Sequence, residues 1–120
     1  IEKSEGGEHS LSGFADRRLA RALRAFHRNP QGNWSIDGLA REAGMSRTAF
    51  AVSFSSKFGV TPLHYMTSWR IQIARQALIE DHASVADAAA LAGYASESAF
   101  SRVFKRETGY SPAACRSLTH

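Results

Sequence analysis

Arg102, Lys105 and Arg106 stand three and four residues apart, shortly after Ser96 and Ser98. At that spacing three cationic heads share one side of a helix. Such groups neither make nor break bonds; they hold anions and hydrogen-bond acceptors. If Phe100 points inward, Ser98, Arg102 and Lys105 point outward, with Arg106 beside them. Arg102 is the strongest candidate for specific recognition, because its planar fork matches the two acceptors on the major-groove edge of guanine. A solvated charged face is the plain alternative for this trio; its setting, below, favours recognition.

A second stretch has the same frame and different chemistry. Ser46-Arg47-Thr48-Ala49-Phe50-Ala51-Val52 places Thr48, Val52 and Ser55 opposite Phe50, with Ala51 and Ser56 flanking. Arg47 stands at the start of this stretch and joins the candidates. Thr48 and Val52 can offer a hydroxyl and methyl groups, as to a thymine methyl. The two stretches are therefore not expected to read alike. Ser46, and Ser96 or Ser98, sit where helix-start N–H groups can hold a phosphate oxygen, besides capping the helix.

Other chemistry finds no residues. His9, His27, His64, His82 and His120 have no metal-ligand spacing with one another or with Cys115. There is no phosphate loop, nucleophile motif or paired acid, so neither enzyme, metal nor cofactor is expected. The single cysteine, Cys115, excludes an intrachain disulfide, which suits a reducing cytoplasm, and reads as a small packing hydrophobe. Trp34 and Trp69 read as core or helix-packing residues. No apolar run approaches the ~20 residues of a membrane helix.

The elements that must position these residues occur twice. Ser35-Ile36 and Ser84-Val85 each lie nine positions before a glycine, Gly44 or Gly93. A Phe pair follows, Phe50/Phe54 and Phe100/Phe104, then Gly59 or Gly109, then Thr61-Pro62 or Ser111-Pro112. The offset between copies is 49 residues before the turn and 50 after it. Each copy reads as helix, glycine turn, helix. The predicted helices cover about 36–43 and 47–58, capped by Ser35 and Ser46, then about 62–79, a helix opened by Ser84, and about 97–107. A short one runs from Pro112 to about Arg116. The 62–79 helix, about 27 Å long, approaches the ~34 Å between successive major-groove faces. Ahead of them, Asp16 is read as capping a helix to about Arg28, with Leu19, Leu23 and Phe26 inward. Arg17, Arg21, Arg24 and Arg28 lie opposite and read as solvent-facing surface. Arg70 and Arg75 divide evenly between phosphate contact and a structural ion pair. Residues 1–13 are polar and glycine-rich and read as a linker. A start at Ile1 rather than Met is taken as the mark of a longer protein.

The 120-residue chain carries a net charge of +4, which favours a polyanionic partner. No acid occurs from Ala43 to Ile79, where Arg47, Lys57, Arg70 and Arg75 stand. A repeated helix-turn-helix with basic stretches points to a double reader of duplex DNA.

The pattern resembles the DNA-binding domain of the AraC/XylS family of bacterial transcription regulators. The residues that carry the resemblance are Gly93-Tyr94, Ser96-Glu97-Ser98-Ala99-Phe100, Phe104-Lys105, Gly109-Tyr110-Ser111-Pro112 and Arg116. Arg70-Ile71, Ala74 and Leu78 match as well, and so does the run from Ile36 through Leu39-Ala40 to Ala43-Gly44-Met45-Ser46. The resemblance implies an all-α fold of about seven helices in two subdomains joined by the long helix. It also implies reading helices in successive major grooves, RNA polymerase as partner for an activator, and a cytoplasmic, nucleoid-associated setting. Residues 45–51 look like members with a cupin-like sensor ahead of the domain. Two positions depart from the family. Val52 stands where many members carry arginine, and Cys115 where the family usually has Tyr or Phe.

The expected organisation is a linker over 1–13, a double helix-turn-helix domain over 14–116 and a tail over 117–120. The first unit covers about 35–58, the linker helix about 62–79 and the second unit about 84–107. The expected function is sequence-specific binding of double-stranded DNA in transcription regulation, at an asymmetric site and by a monomer of this chain. A helical protein-interaction module with a basic surface is the alternative, and a large exposed apolar groove would favour it.

Overall fold

The computed structural model describes the backbone of residues 2–118 and the side chains of residues 13–118. Its helices are α1 (Glu2–Arg28), α2 (Ile36–Ala43), α3 (Arg47–Phe58), α4 (Pro62–Glu80), α5 (Val85–Leu91), α6 (Glu97–Thr108) and α7 (Pro112–Ser117). No strand occurs among the described residues, so the all-α expectation holds. The chain divides into two units: Ile1–Asn29 with Trp34–Leu63, and Pro30–Asn33 with His64–His120.

Local chemistry sets most helix ends. Ser35, Ser46, Ser84, Ser96 and Ser111 are extended N-caps whose hydroxyls accept from the N–H three residues on. Each satisfies one donor that a helix start leaves orphaned. Gly44 closes α2 at φ +69°, and its N–H bonds back to the Arg41 carbonyl.

In the first unit α1 packs on α2 and α3. Leu19, Ala22, Ala25, Phe26, Leu39, Ala40, Ala43, Phe50 and Phe54 are buried there. Phe50 and Phe54 are fully enclosed, and truncating either to alanine would cost about 3–5 kcal/mol. The Trp34 indole N–H donates to the Asn29 carbonyl at 2.8 Å and its ring lies edge-on to Phe26.

In the second unit Ile71, Ala74 and Leu78 of α4 meet Ala88, Ala89, Ala92, Phe100, Phe104 and Cys115. Cys115 is 1% exposed and acts as the small hydrophobe expected of it. Small alanines on α5 let it lie close to its neighbours. Arg116 donates from Nε to the Ala83 carbonyl at 2.9 Å and from Nη2 to that of His82 at 3.2 Å. It thereby ties the last helix to a turn in which His82 has φ +54°.

The structure departs from expectation at several places. The backbone of residues 2–13 is helical and continuous with α1, where a linker was expected. Extending a helix already nucleated adds one hydrogen bond per residue fixed, whereas starting one is costly. Asp16 therefore lies within α1 and caps nothing; its carboxylate pairs with Lys57 Nζ at 3.0 Å. Phe58, expected on the inner side of α3, is 38% exposed, and Trp69 is 39% exposed while stacked on Tyr65. Arg70 has main-chain partners that were not foreseen for it. It is half-buried and donates to the carbonyls of Pro30 and Gly32, both at 2.7 Å.

Candidate nucleic-acid interface

The outward face of α3 follows from its two buried rings. With Phe50 and Phe54 enclosed, Thr48, Val52 and Ser56 are exposed, and Ala51 and Ser55 are half-buried behind them. Ser56, expected to flank, thus takes the outward place expected of Ser55, which lies only one residue from enclosed Phe54. Val52 is 64% exposed, more than any other large hydrophobic residue described. The ends of α3 carry its only charges, and both are paired within the unit. Arg47 Nη1 lies 3.5 Å from Asp37, and Lys57 Nζ 3.0 Å from Asp16. Both pairs are solvent-exposed, so neither holds its cation strongly. Between them the outward face is neutral.

The matching face of α6 is charged. Phe100 and Phe104 are enclosed, and Ser98, Arg102, Lys105 and Arg106 are exposed. Arg106 Nε lies 3.5 Å from Glu107. Arg102 and Lys105 form no ion pair among the described residues. With Arg106 they line a shallow groove completed by Ser101 and Ser111. The last two are additions to the candidate set; Ser111 was legible only as a helix start, and Ser101 gave no signal.

The helix starts differ in the same sense. Ser46 Oγ accepts from the Ala49 N–H at 3.1 Å and Ser96 Oγ from that of Ala99 at 3.2 Å. In each case the N–H groups of the first turn ahead of that bond have no carbonyl within the helix and point outward. At α3 no acid stands in that turn, whereas α6 has Glu97 there. An anion would be received more readily at the start of α3 and along the middle of α6. The charged middle of α6 lies a full turn beyond its acidic start.

Two residues that strengthen the frame lie off these faces. Burial draws the Arg70 guanidinium below its ordinary value, with Tyr94 acting in the opposite sense, and burial pushes the Tyr94 hydroxyl up. Arg18 donates to the Gly44 carbonyl at 3.2 Å and lies over the Phe14 ring. The remaining arginines of α1, at 17, 21, 24 and 28, are exposed, as expected of a solvent face. Among the described residues no cluster of His, Cys, Asp or Glu could hold a metal ion. Among the same residues no helix is long and apolar enough to cross a membrane.

Comparison with known proteins agrees with this geometry. A family described as a helix-turn-helix domain matches residues 39–117. An AraC-like transcription regulator of Streptomyces lividans is 42% identical over 106 residues, which is 88% of this chain and 35% of that protein. The HTH-type transcriptional regulator AlkR of Acinetobacter baylyi is 37% identical over 102 residues, covering 85% and 33%. This chain thus spans about a third of the length of these relatives. Among solved structures, the DNA-binding domain of AdpA, a global transcriptional factor crystallised with a target DNA, superposes with a TM-score of 0.78. It is 31% identical, over 82% of this chain and 89% of that one. By the matched model, these relatives and this fold, the chain belongs to the AraC-type family of helix-turn-helix DNA-binding domains.

Proposed function

We propose that this chain is the sequence-specific double-stranded-DNA reader of a bacterial transcription regulator acting in the cytoplasm. Its two reading helices, α3 and α6, would enter successive major grooves of one asymmetric site, with one copy of the chain sufficing. The observation that carries this reading is the α6 face, where exposed Arg102 and Lys105 have no acid partner among the described residues. Arg102 would read a guanine, while Lys105, Arg106, Arg47 and the helix starts at Ser46 and Ser96 would hold phosphates, with Ser98 beside the latter. Thr48, Val52, Ala51 and Ser55 would meet base edges through methyl and hydroxyl groups. RNA polymerase would be the partner if the intact regulator activates.

The interaction-module reading draws on one feature, a shallow groove along α4 bordered by Trp69, Ile73 and Ile79. Gln72, Arg75, Gln76 and Glu80 interrupt it, and the basic faces lie elsewhere, so DNA remains the better-supported ligand. Selection of bound sequences from a random duplex pool tests the choice. A recovered motif with two separated segments is expected. Recovery of no motif, with binding indifferent to sequence, would overturn the proposal.

A further inference from the structure

We infer that the first reading helix recognises the C5-methyl group of a pyrimidine through Val52, and so responds to cytosine methylation as well as to thymine. The inference rests on the DNA-reading proposal and names what one half of that site takes. Val52 occupies the middle of the outward face of α3 and is 64% exposed. A lone exposed aliphatic side chain is ordinary on a protein surface; its surroundings set this one apart. Every other residue on the ridge is short: Thr48, Ala51, Ser55 and Ser56. No long side chain from the middle of α3 would hold its backbone away from a groove floor. The two cations stand at its ends, beside Asp37 and Asp16, and not in the middle of the ridge.

Such a surface has little with which to question a base edge. It offers two valine methyls, a threonine and small hydroxyls. Of the groups displayed in the major groove, the pyrimidine C5-methyl is the one that an aliphatic side chain can recognise. Thymine carries it, uracil does not, and 5-methylcytosine presents it at the same ring position. The contact removes methyl surface from water on both partners and is indifferent to whether O4 or N4 stands beside it. By contrast α6, with Arg102 and Lys105, is equipped for acceptors and charge.

The test uses the complete 120-residue chain and the preferred duplex recovered from a random pool. That duplex is remade with deoxyuridine for thymidine at each position in turn, and, where cytosine is tolerated, with cytosine and 5-methylcytosine. Loss of one contacted methyl should weaken binding about fourfold, the worth of about one buried methylene. Replacing cytosine by 5-methylcytosine at the same position should recover a similar factor. In Val52→Ala both responses should fall towards unity, while a guanine preference lost in Arg102→Ala persists. Alanine at an exposed helical position favours the helix, and circular dichroism checks that the variant is folded. Full affinity for every uracil-substituted duplex would overturn the inference and leave DNA reading intact, as would methyl sensitivity that survives Val52→Ala. Failure to recover any preferred duplex would overturn the DNA reading and this inference with it.

Discussion

Replacing Gly93 by alanine should destabilise the chain more than the same change at Gly44, its counterpart in the repeat. Both glycines have left-handed backbones, with φ of +83° and +69°. Alanine in that conformation costs about 1–2 kcal/mol at either site. The surroundings then separate them. A Cβ on Gly44 would find its nearest neighbour, the end of the Arg21 side chain, at 4.0 Å. On Gly93 it would lie 3.2 Å from the Gln31 carbonyl oxygen and 3.4 Å from its Cα. That backbone cannot retreat freely, because the Arg70 guanidinium holds the carbonyls on either side of Gln31 at 2.7 Å. Forcing a methyl into a filled space costs about 1–3 kcal/mol, and a single tight contact belongs at the lower end. The expected losses are thus about 2–3 kcal/mol at Gly93 and about 1–2 at Gly44. Urea unfolding followed by circular dichroism measures them. Trp34 and Trp69 fluorescence report the first and second units separately, since two units need not unfold together. Arg70→Met should release the loop, so that Gly93→Ala costs less on that background, with a coupling of at least about 0.5 kcal/mol. Equal losses at the two glycines, together with strict additivity with Arg70→Met, would refute the argument.

Three further outcomes are expected. Arg102→Ala should cost about 1–3 kcal/mol of binding and relax preference at one base pair; uniform weakening on all single-base variants of the preferred duplex would reassign it to phosphate. Affinity should fall steeply between low and moderate salt, because bound arginine and lysine release condensed counterions, and a flat titration would remove the DNA reading. Partial desolvation draws the largely exposed His27 imidazole below its ordinary value of 6.5. The unfolded chain therefore takes up that proton first, and stability present above about pH 6.5 declines as pH falls through the folded value. His27→Gln should flatten this decline in thermal unfolding between about pH 7 and about pH 5; an unchanged slope would place its origin elsewhere.

Where a residue acts on its immediate neighbours, its role could be read from the sequence. The capping serines, Gly44 and the Phe pairs all fell into place because caps, left-handed turns and 3.6-residue periodicity are local properties. The outward face of α6 followed from those rings by angle, and that of α3 did so at Thr48 and Val52 but not at Ser55, where Ser56 is the exposed serine instead. Roles that depend on distant partners could not be read this way. Asp16 has the chemistry of a cap and is used for Lys57, 41 positions away. Periodicity placed Phe58 inward, yet at the last turn of α3 the core has ended. Arg70 was weighed against phosphates and carboxylates; it also holds two main-chain carbonyls, which every residue possesses and no pattern marks. Composition hid the helical backbone of residues 2–13, where Gly6, Gly7 and Gly13 weigh against a helix by propensity.

The Arg70 clasp bears on how such a chain can be divided. Residues 30–33 come between α1 and α2 in sequence but belong to the second unit. The polypeptide therefore enters that unit twice, once for four residues and again for good at His64. A cut within α4 would not yield two self-sufficient pieces. A carboxy-terminal piece that keeps Arg70 would lose the Pro30 and Gly32 carbonyls that its guanidinium holds, and the Gln31 backbone against which Gly93 lies. The repeat looks like two modules in tandem, yet its second copy shares a unit with residues 30–33, which precede the first copy in sequence. Duplication, exchange or excision of the second reader alone would have to carry those four residues with it, or supply a substitute for them.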